Sequence, residues 1–167
     1  MWNKKIIVMG VIVVFALLLF GLAQFFQTIQ AGAWSEESEA VDTAYKKTIM
    51  AKATKVDTFI NDQTFKIVYG EDAVGQKLIV WISDEEIHTE YVSEGLKDKD
   101  LLAQFAQKEP TAKLMRVMPG KFKDKFVWEL YYKKPGESGR QTYYYDYIDF
   151  KDGFLLDTYN LGDKQMM

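Results

Sequence analysis

The sequence predicts an α+β protein: an N-terminal transmembrane helix followed by two modules, each a helix laid on an antiparallel sheet. Three observations lead there. The first 33 residues contain no Asp or Glu, whereas all 24 acidic residues follow from Glu36 onward. Apolar residues recur at helical spacing twice, near 41–49 and 101–106. After each such stretch the period shortens to two, and the alternating runs are separated by short turn-forming segments.

Residues 6–26 read IIVMGVIVVFALLLFGLAQFF, with no charge and one amide, Gln24. A helix of that length spans roughly 32 Å, enough for a hydrocarbon core of about 30 Å. Only a helix satisfies its own backbone there in a single pass. Gly10 and Gly21 make no small-xxx-small pair, so the span carries no helix-dimerisation signature. Lys4 and Lys5 precede the span, whereas Glu36, Glu37 and Glu39 follow it. The two lysines are therefore the topology determinants. They place the N-terminus in the cytoplasm and residues from about Trp34 on the far side of the cell membrane. Trp2 and Trp34 bracket the segment at the headgroup level. A cleaved signal peptide is the alternative, because Ala31-Gly32-Ala33 has the small-x-small pattern of a processing site. The apolar run exceeds the usual h-region of about 7–15 residues, which favours a retained signal-anchor. The expected organisation is a tip at 1–5, the span at 6–26, a linker at 27–34, and modules at 35–95 and 96–167.

In the first module, Ser35 is placed to cap a helix running to about Ala53, with Glu36 and Glu37 at its positive end. Val41, Ala44, Tyr45, Thr48 and Ile49 form its apolar face. Strands follow at 55–60, 65–69, 78–82 and 87–92, with turns at 61–63 and 72–76. In the second module, Asp98 is placed to cap a helix whose stripe is Leu101, Leu102, Phe105 and Ala106, ended by Pro110. A strand at 113–118 stops before Pro119-Gly120, and the alternation Phe126, Trp128, Leu130, Tyr132 marks the next. A polar turn at 134–140 leads to a hairpin of 142–150 and 154–159 across Lys151-Asp152-Gly153. At about 60–65 residues each, the modules have marginal cores alone and must pack together or continue one sheet.

Beyond the two lysines at the tip, 19 basic residues face the 24 acidic ones, a net charge of −5 with no concentrated basic face, which excludes nucleic acid as a partner. The absence of cysteine excludes thiolate metal sites, thiol nucleophiles and disulfides. His88 is the single histidine, so mechanisms needing two imidazoles are excluded. Asp84, Glu85 and Glu86 lie near it, but consecutive acids lack the alternating spacing of a calcium loop and read as a solvated turn. Ser83, Ser93 and Ser138 sit in neither a G-x-S-x-G nor an S-x-x-K context. Asp146 and Asp149 fall on opposite strand faces and form no local acid/base pair. Glu129 points away from Trp128 and Leu130, toward solvent or a lysine. No catalytic, cofactor or metal residue is assigned.

What remains is contact chemistry. Seven of the ten tyrosines lie from Tyr131 onward. Tyr143, Tyr145 and Tyr147 share one strand face, Tyr144 and Ile148 the other. Such a row either fills cross-strand space or anchors a partner, protein or glycan. Trp81 alternates with Val80 and Ile82, which puts it on an outer face as a candidate contact; Trp128 falls in a core row.

Several stretches together resemble a known family: Phe65-Lys66-Ile67-Val68-Tyr69-Gly70, then Gly75 leading into Val80-Trp81-Ile82, then Phe126-Val127-Trp128-Glu129-Leu130-Tyr131 followed by Tyr144-Tyr145-Asp146-Tyr147-Ile148-Asp149-Phe150 and Asp152-Gly153. With the N-terminal anchor they resemble the cell wall elongation regulator TseB-like family of Gram-positive bacteria. The resemblance implies PepSY-like modules of cystatin-like fold and no enzymatic activity. It also implies a role in cell wall elongation and regulation of peptidoglycan synthesis through a class B penicillin-binding protein as partner. The alternative function is a PepSY-like binding or inhibitory module that occupies a peptidase cleft by strand addition.

Overall fold

A computed structural model describes residues 13–15, 17–20, 36–136 and 139–162. The chain divides into two compact units, 1–39 and 40–167. In the first unit, residues 13–15 and 17–20 are helical with exposed side chains, as are residues 36–39. The rest of the expected span, together with Lys4, Lys5 and Ser35, lies outside the described residues. Among the described residues, no helix is long and apolar enough to cross a membrane.

The fold is α+β, with two separate four-stranded antiparallel sheets. Helix α1 covers residues 36–47. The first sheet is a meander of β1 (Lys52–Ile60), β2 (Thr64–Glu71), β3 (Lys77–Ile82) and β4 (Ile87–Tyr91). A 3-10 turn at Val92–Glu94 leads to α2 (Asp98–Lys108). The second meander is β5 (Lys113–Phe122), β6 (Lys125–Pro135), β7 (Gln141–Asp149) and β8 (Leu155–Asn160).

α1 ends earlier than the expected Ala53. Thr48 turns its hydroxyl back onto the Ala44 carbonyl at 2.6 Å and then accepts the Met50 N–H at 3.2 Å. This local bonding competes with helix continuation. Lys52 is consequently free to pair with Glu71 in the sheet, and Ala53 donates its N–H to the Tyr45 hydroxyl. The buried face also differs from the one expected. Ala40 and Ala44 are covered, while Tyr45 and Ile49 are exposed. Two alanines one turn apart let the helix approach Val68, Leu78 and Val80 closely.

The opposite face of the first sheet carries Phe59, Phe65, Ile67, Ile79 and Trp81, and it joins one core with Leu101 and Phe105 of α2 and Trp128, Leu130 and Tyr132 of β6. β2 and β3 are therefore buried on both faces, although Phe65, Ile67 and Tyr69 alternating with Lys66 and Val68 reads in the sequence as a half-buried strand: Val68 and Ile67 are equally covered. Of the two ways to complete the module cores, packing together is the one observed.

α2 begins with Asp98 as its first helical residue; Lys97 holds the N-cap position, without a side-chain cap bond. Only Leu101 and Phe105 of the expected stripe are buried, and Leu102 is exposed. β5 runs straight through Pro119-Gly120 instead of stopping at Met118. The strand is at the sheet edge, where a missing N–H costs no ladder bond, and Pro119 sits opposite Trp128. Gly120 is needed there because a Cβ would collide with the Phe59 ring. The β7–β8 turn closes with Gly153 at φ +72, and Asp149 accepts the N–H groups of Lys151 and Asp152 at 3.0 and 3.1 Å.

Candidate functional site

The second sheet has one face under α2 and one face without a helix. Register decides which residues go where. Leu130, Tyr132 and Trp128 lie opposite Asp146, Tyr144 and Ile148, and Phe105 meets the Tyr132 ring edge-on at 5.0 Å. Glu129, Tyr131 and Lys133 lie opposite Tyr147, Tyr145 and Tyr143 on the other face. The tyrosine row thus stands on the helix-free side.

Its burial is graded along the strand. Tyr143 is 38% exposed, Tyr145 half-buried, and Tyr147 covered by Phe122 and Tyr159, whose rings lie 4.3 and 5.8 Å from it. Tyr131 stacks between its neighbours, 5.7 Å from Tyr143 and 4.7 Å from Tyr145, with ring planes 17° and 22° apart. The rings therefore cover parts of one another's faces. What the row offers outward is edges and phenol tips, a surface for hydrogen bonds and side-chain packing more than a flat platform for sugar rings.

Beneath the row lies a charge pair that sequence reasoning missed. Glu129 is buried, not solvated, and accepts a hydrogen bond from the Arg116 guanidinium at 2.8 Å. A bulge in β5 between Leu114 and Arg116 sets this alignment, and the guanidinium lies 6.0 Å from the Tyr131 centroid. Burial pushes the Tyr147 phenol up, and the Glu129 charge and a hydrogen bond to it add to the shift. Burial and the Glu129 charge also raise Tyr145, against an opposing contribution from Arg116. Both phenols stay protonated and able to donate at neutral pH. At the open end of this face Arg116 and Tyr143 are exposed, and Arg and Tyr are among the residue types enriched where binding energy concentrates in protein interfaces. The missed members, Arg116, Glu129, Tyr131 and Tyr159, were accessible only through the register of β5, β6, β7 and β8.

Trp81 does not belong to this surface. It is 0% exposed, packed against Phe126 at 5.1 Å and Phe150 at 5.2 Å, because the second module covers the sheet face that alternation alone left open. Trp128 is in the core row as expected. The acidic turn disperses: Glu85 meets Gln63, Glu86 meets Lys121, and His88 bonds Glu90 at 2.8 Å while stacking on Phe126 at 3.8 Å. No group of three side chains suited to a metal ion occurs among the described residues. Asp146 is buried under α2, bonded by the Thr158 and Tyr132 hydroxyls at 2.7 and 3.2 Å. Asp149 lies on the other face, with Lys125 at 3.0 Å.

Comparison with known proteins agrees with this architecture. A family model described as cell wall elongation regulator TseB-like domain matches residues 39–83, that is, most of α1 through β3. The chain is 24% identical over 160 residues to a protein named Probable cell wall elongation regulator TseB from Bacillus subtilis (strain 168), covering 92% of this chain and 96% of that one. The solved structure of the YpmB protein from Bacillus subtilis has the same fold, with a TM-score of 0.64 at 24% identity over 74% of this chain and 95% of the other. On these matches the resemblance read from the sequence holds: residues 39–83 match the cell wall elongation regulator TseB-like domain, and nearly the whole chain is similar to a protein named as such a regulator.

Proposed function

We propose that this chain is a membrane-anchored, non-enzymatic protein that regulates cell wall elongation from outside the cytoplasm by binding a class B penicillin-binding protein. The observation that carries the reading is its near end-to-end similarity to a protein named as a wall elongation regulator. Each helix with its four-stranded meander is read as a PepSY-like, cystatin-like module. The uncharged segment 6–26, with Lys4 and Lys5 before it, supplies the single span, N-terminus inside. The helix-free face of the second sheet, centred on Tyr143, Tyr145 and Arg116, is the contact surface.

The test is crosslinking in intact cells, with a photoreactive residue in place of Tyr143 and, as comparison, of Leu102 on the outer side of α2. A crosslink to a class B penicillin-binding protein from position 143 alone is expected. Equal yields from both positions, or none from 143, overturn the assignment of the face. A second reading has its own observation: β8 is a sheet edge whose Leu155 and Tyr159 are exposed. Such an edge suits strand addition to an extended cleft, as a peptidase-inhibiting module would use. Crosslinks from Tyr159 to a peptidase would favour it.

A further inference from the structure

A cleft of about 400 Å³ opens between the first sheet and the start of α2, away from the tyrosine face. Its volume is in the range of sites that hold small molecules. Tyr69, Ile79 and Trp128 form an apolar wall, and Lys55, Lys77, Glu71 and Asp98 bring charge to it.

Three features distinguish it from an incidental dent. First, β1 bulges between Ala53 and Lys55, so Thr54 is an extra residue in the cleft wall, held by its hydroxyl donating to the Tyr69 carbonyl at 3.2 Å. Bulges of this kind re-aim side chains at functional places. Second, the charges are two of each sign, and they are not spent on one another. Lys55 is engaged by Asp57 at 2.6 Å, whereas Lys77, Glu71 and Asp98 are in no ion pair among the described residues, although Lys77 and Glu71 are direct cross-strand partners. Third, Trp128 is buried, and its indole N–H has no acceptor among the described residues. Burial and the charges of Asp57 and Asp98 push the Tyr69 phenol up, so it stays a neutral part of the wall.

We propose that this cleft binds a small zwitterion of amino-acid or dipeptide size, its carboxylate on Lys77, its ammonium between Glu71 and Asp98, and an aliphatic side chain against Tyr69, Ile79 and Trp128. A simple anion would meet two carboxylates, and a simple cation two ammonium groups; a neutral apolar ligand would strip water from all four without replacing it. Only a ligand carrying both signs matches. The inference is independent of the partner-binding reading, since it uses the first sheet and α2 instead of the outer face of the second sheet.

The full chain in detergent micelles, isotopically labelled, is titrated with alanyl-leucine and followed by the indole N–H resonance of Trp128. A saturable shift is expected with the free dipeptide. Binding at least about tenfold weaker is expected after acetylating its amine or amidating its carboxylate, because each removes a charge-assisted contact. Lys77→Met should weaken binding by a similar factor and Lys113→Met, away from the cleft, should not. Lys77 is exposed, so the variant should fold; if its spectrum loses dispersion, Asp98→Asn must give the same loss. No saturable shift, equal binding of the blocked dipeptides, or full affinity in both cleft variants overturns the proposal.

Discussion

Trp81 and Tyr143 are both aromatic residues on alternating strands, yet their substitution should have opposite consequences. Trp81 touches Phe126, Phe150 and His88 and has no exposed surface. Trp81→Ala leaves a cavity between the modules and should cost about 3–5 kcal/mol, seen as a lowered denaturant midpoint. Tyr143→Ala removes a partly exposed ring at the end of a stack and should change stability by no more than about 0.5–1 kcal/mol. If Tyr143 belongs to the contact face, crosslinking or capture of the partner should fall while the midpoint stays. A large loss of stability at Tyr143 would mean that the row is cross-strand packing alone.

Strand β5 shows how an element is placed by its neighbours. Pro119 and Gly120 would end an isolated strand, but at a sheet edge the proline is harmless and the glycine makes room for Phe59. Gly120→Ala should destabilise by about 1–3 kcal/mol through overpacking against that ring, whereas Gly75→Ala should be strained by its φ of +83 without any steric contact. The tyrosine-rich strands make a further prediction about pH. Tyr69, Tyr132, Tyr145 and Tyr147 are all raised above the ordinary phenol value, first by burial and then by nearby carboxylates. The folded state thus holds these protons more tightly than the unfolded chain. The stability this provides is complete below the unfolded phenol value of about 10 and is lost as pH rises toward the folded values. Alkaline unfolding is expected above about pH 10, with tyrosinate absorbance rising together with loss of near-UV dichroism. Tyrosinate formation complete before any loss of structure would contradict it.

At the scale of the molecule, one core joins both sheets through Phe59, Trp81, Trp128 and Phe105. A fragment of residues 34–167 should therefore unfold in a single transition, coincident by tryptophan fluorescence and far-UV dichroism, and neither module should fold alone. Two resolved transitions would show that the modules are independent. If the anchor raises the effective concentration of the contact face near a membrane partner, the same fragment secreted without residues 1–33 should be folded but fail to restore wall elongation. Full complementation by the secreted fragment would show that the anchor serves export alone.

Much of this was legible in the chain. Period and turn residues specify α1, α2 and the eight strands of the described residues, and the stretches Phe65–Gly70 and Val80–Ile82 lie within the segment that the family model matches, because spacing and turn chemistry are local properties. Alternation also determines that Tyr143, Tyr145 and Tyr147 share a face. It does not determine which faces meet water, since that depends on what another module lays over them. Hence Trp81 reads as an outer residue and is buried, and Glu129 reads as solvated and is buried against Arg116. Helix α1 reads as continuing to Ala53 because its terminating bond, from the Thr48 hydroxyl to the Ala44 carbonyl, and its competitor, the pairing of Lys52 with Glu71, become visible only with the sheet in place. The cleft brings Asp98 to Glu71 and Lys77, more than twenty positions before it, and its shape exists only once the start of α2 stands beside the first sheet. Local sequence sets the elements and their faces; tertiary packing alone sets which face is core, which is contact surface and where a cleft opens.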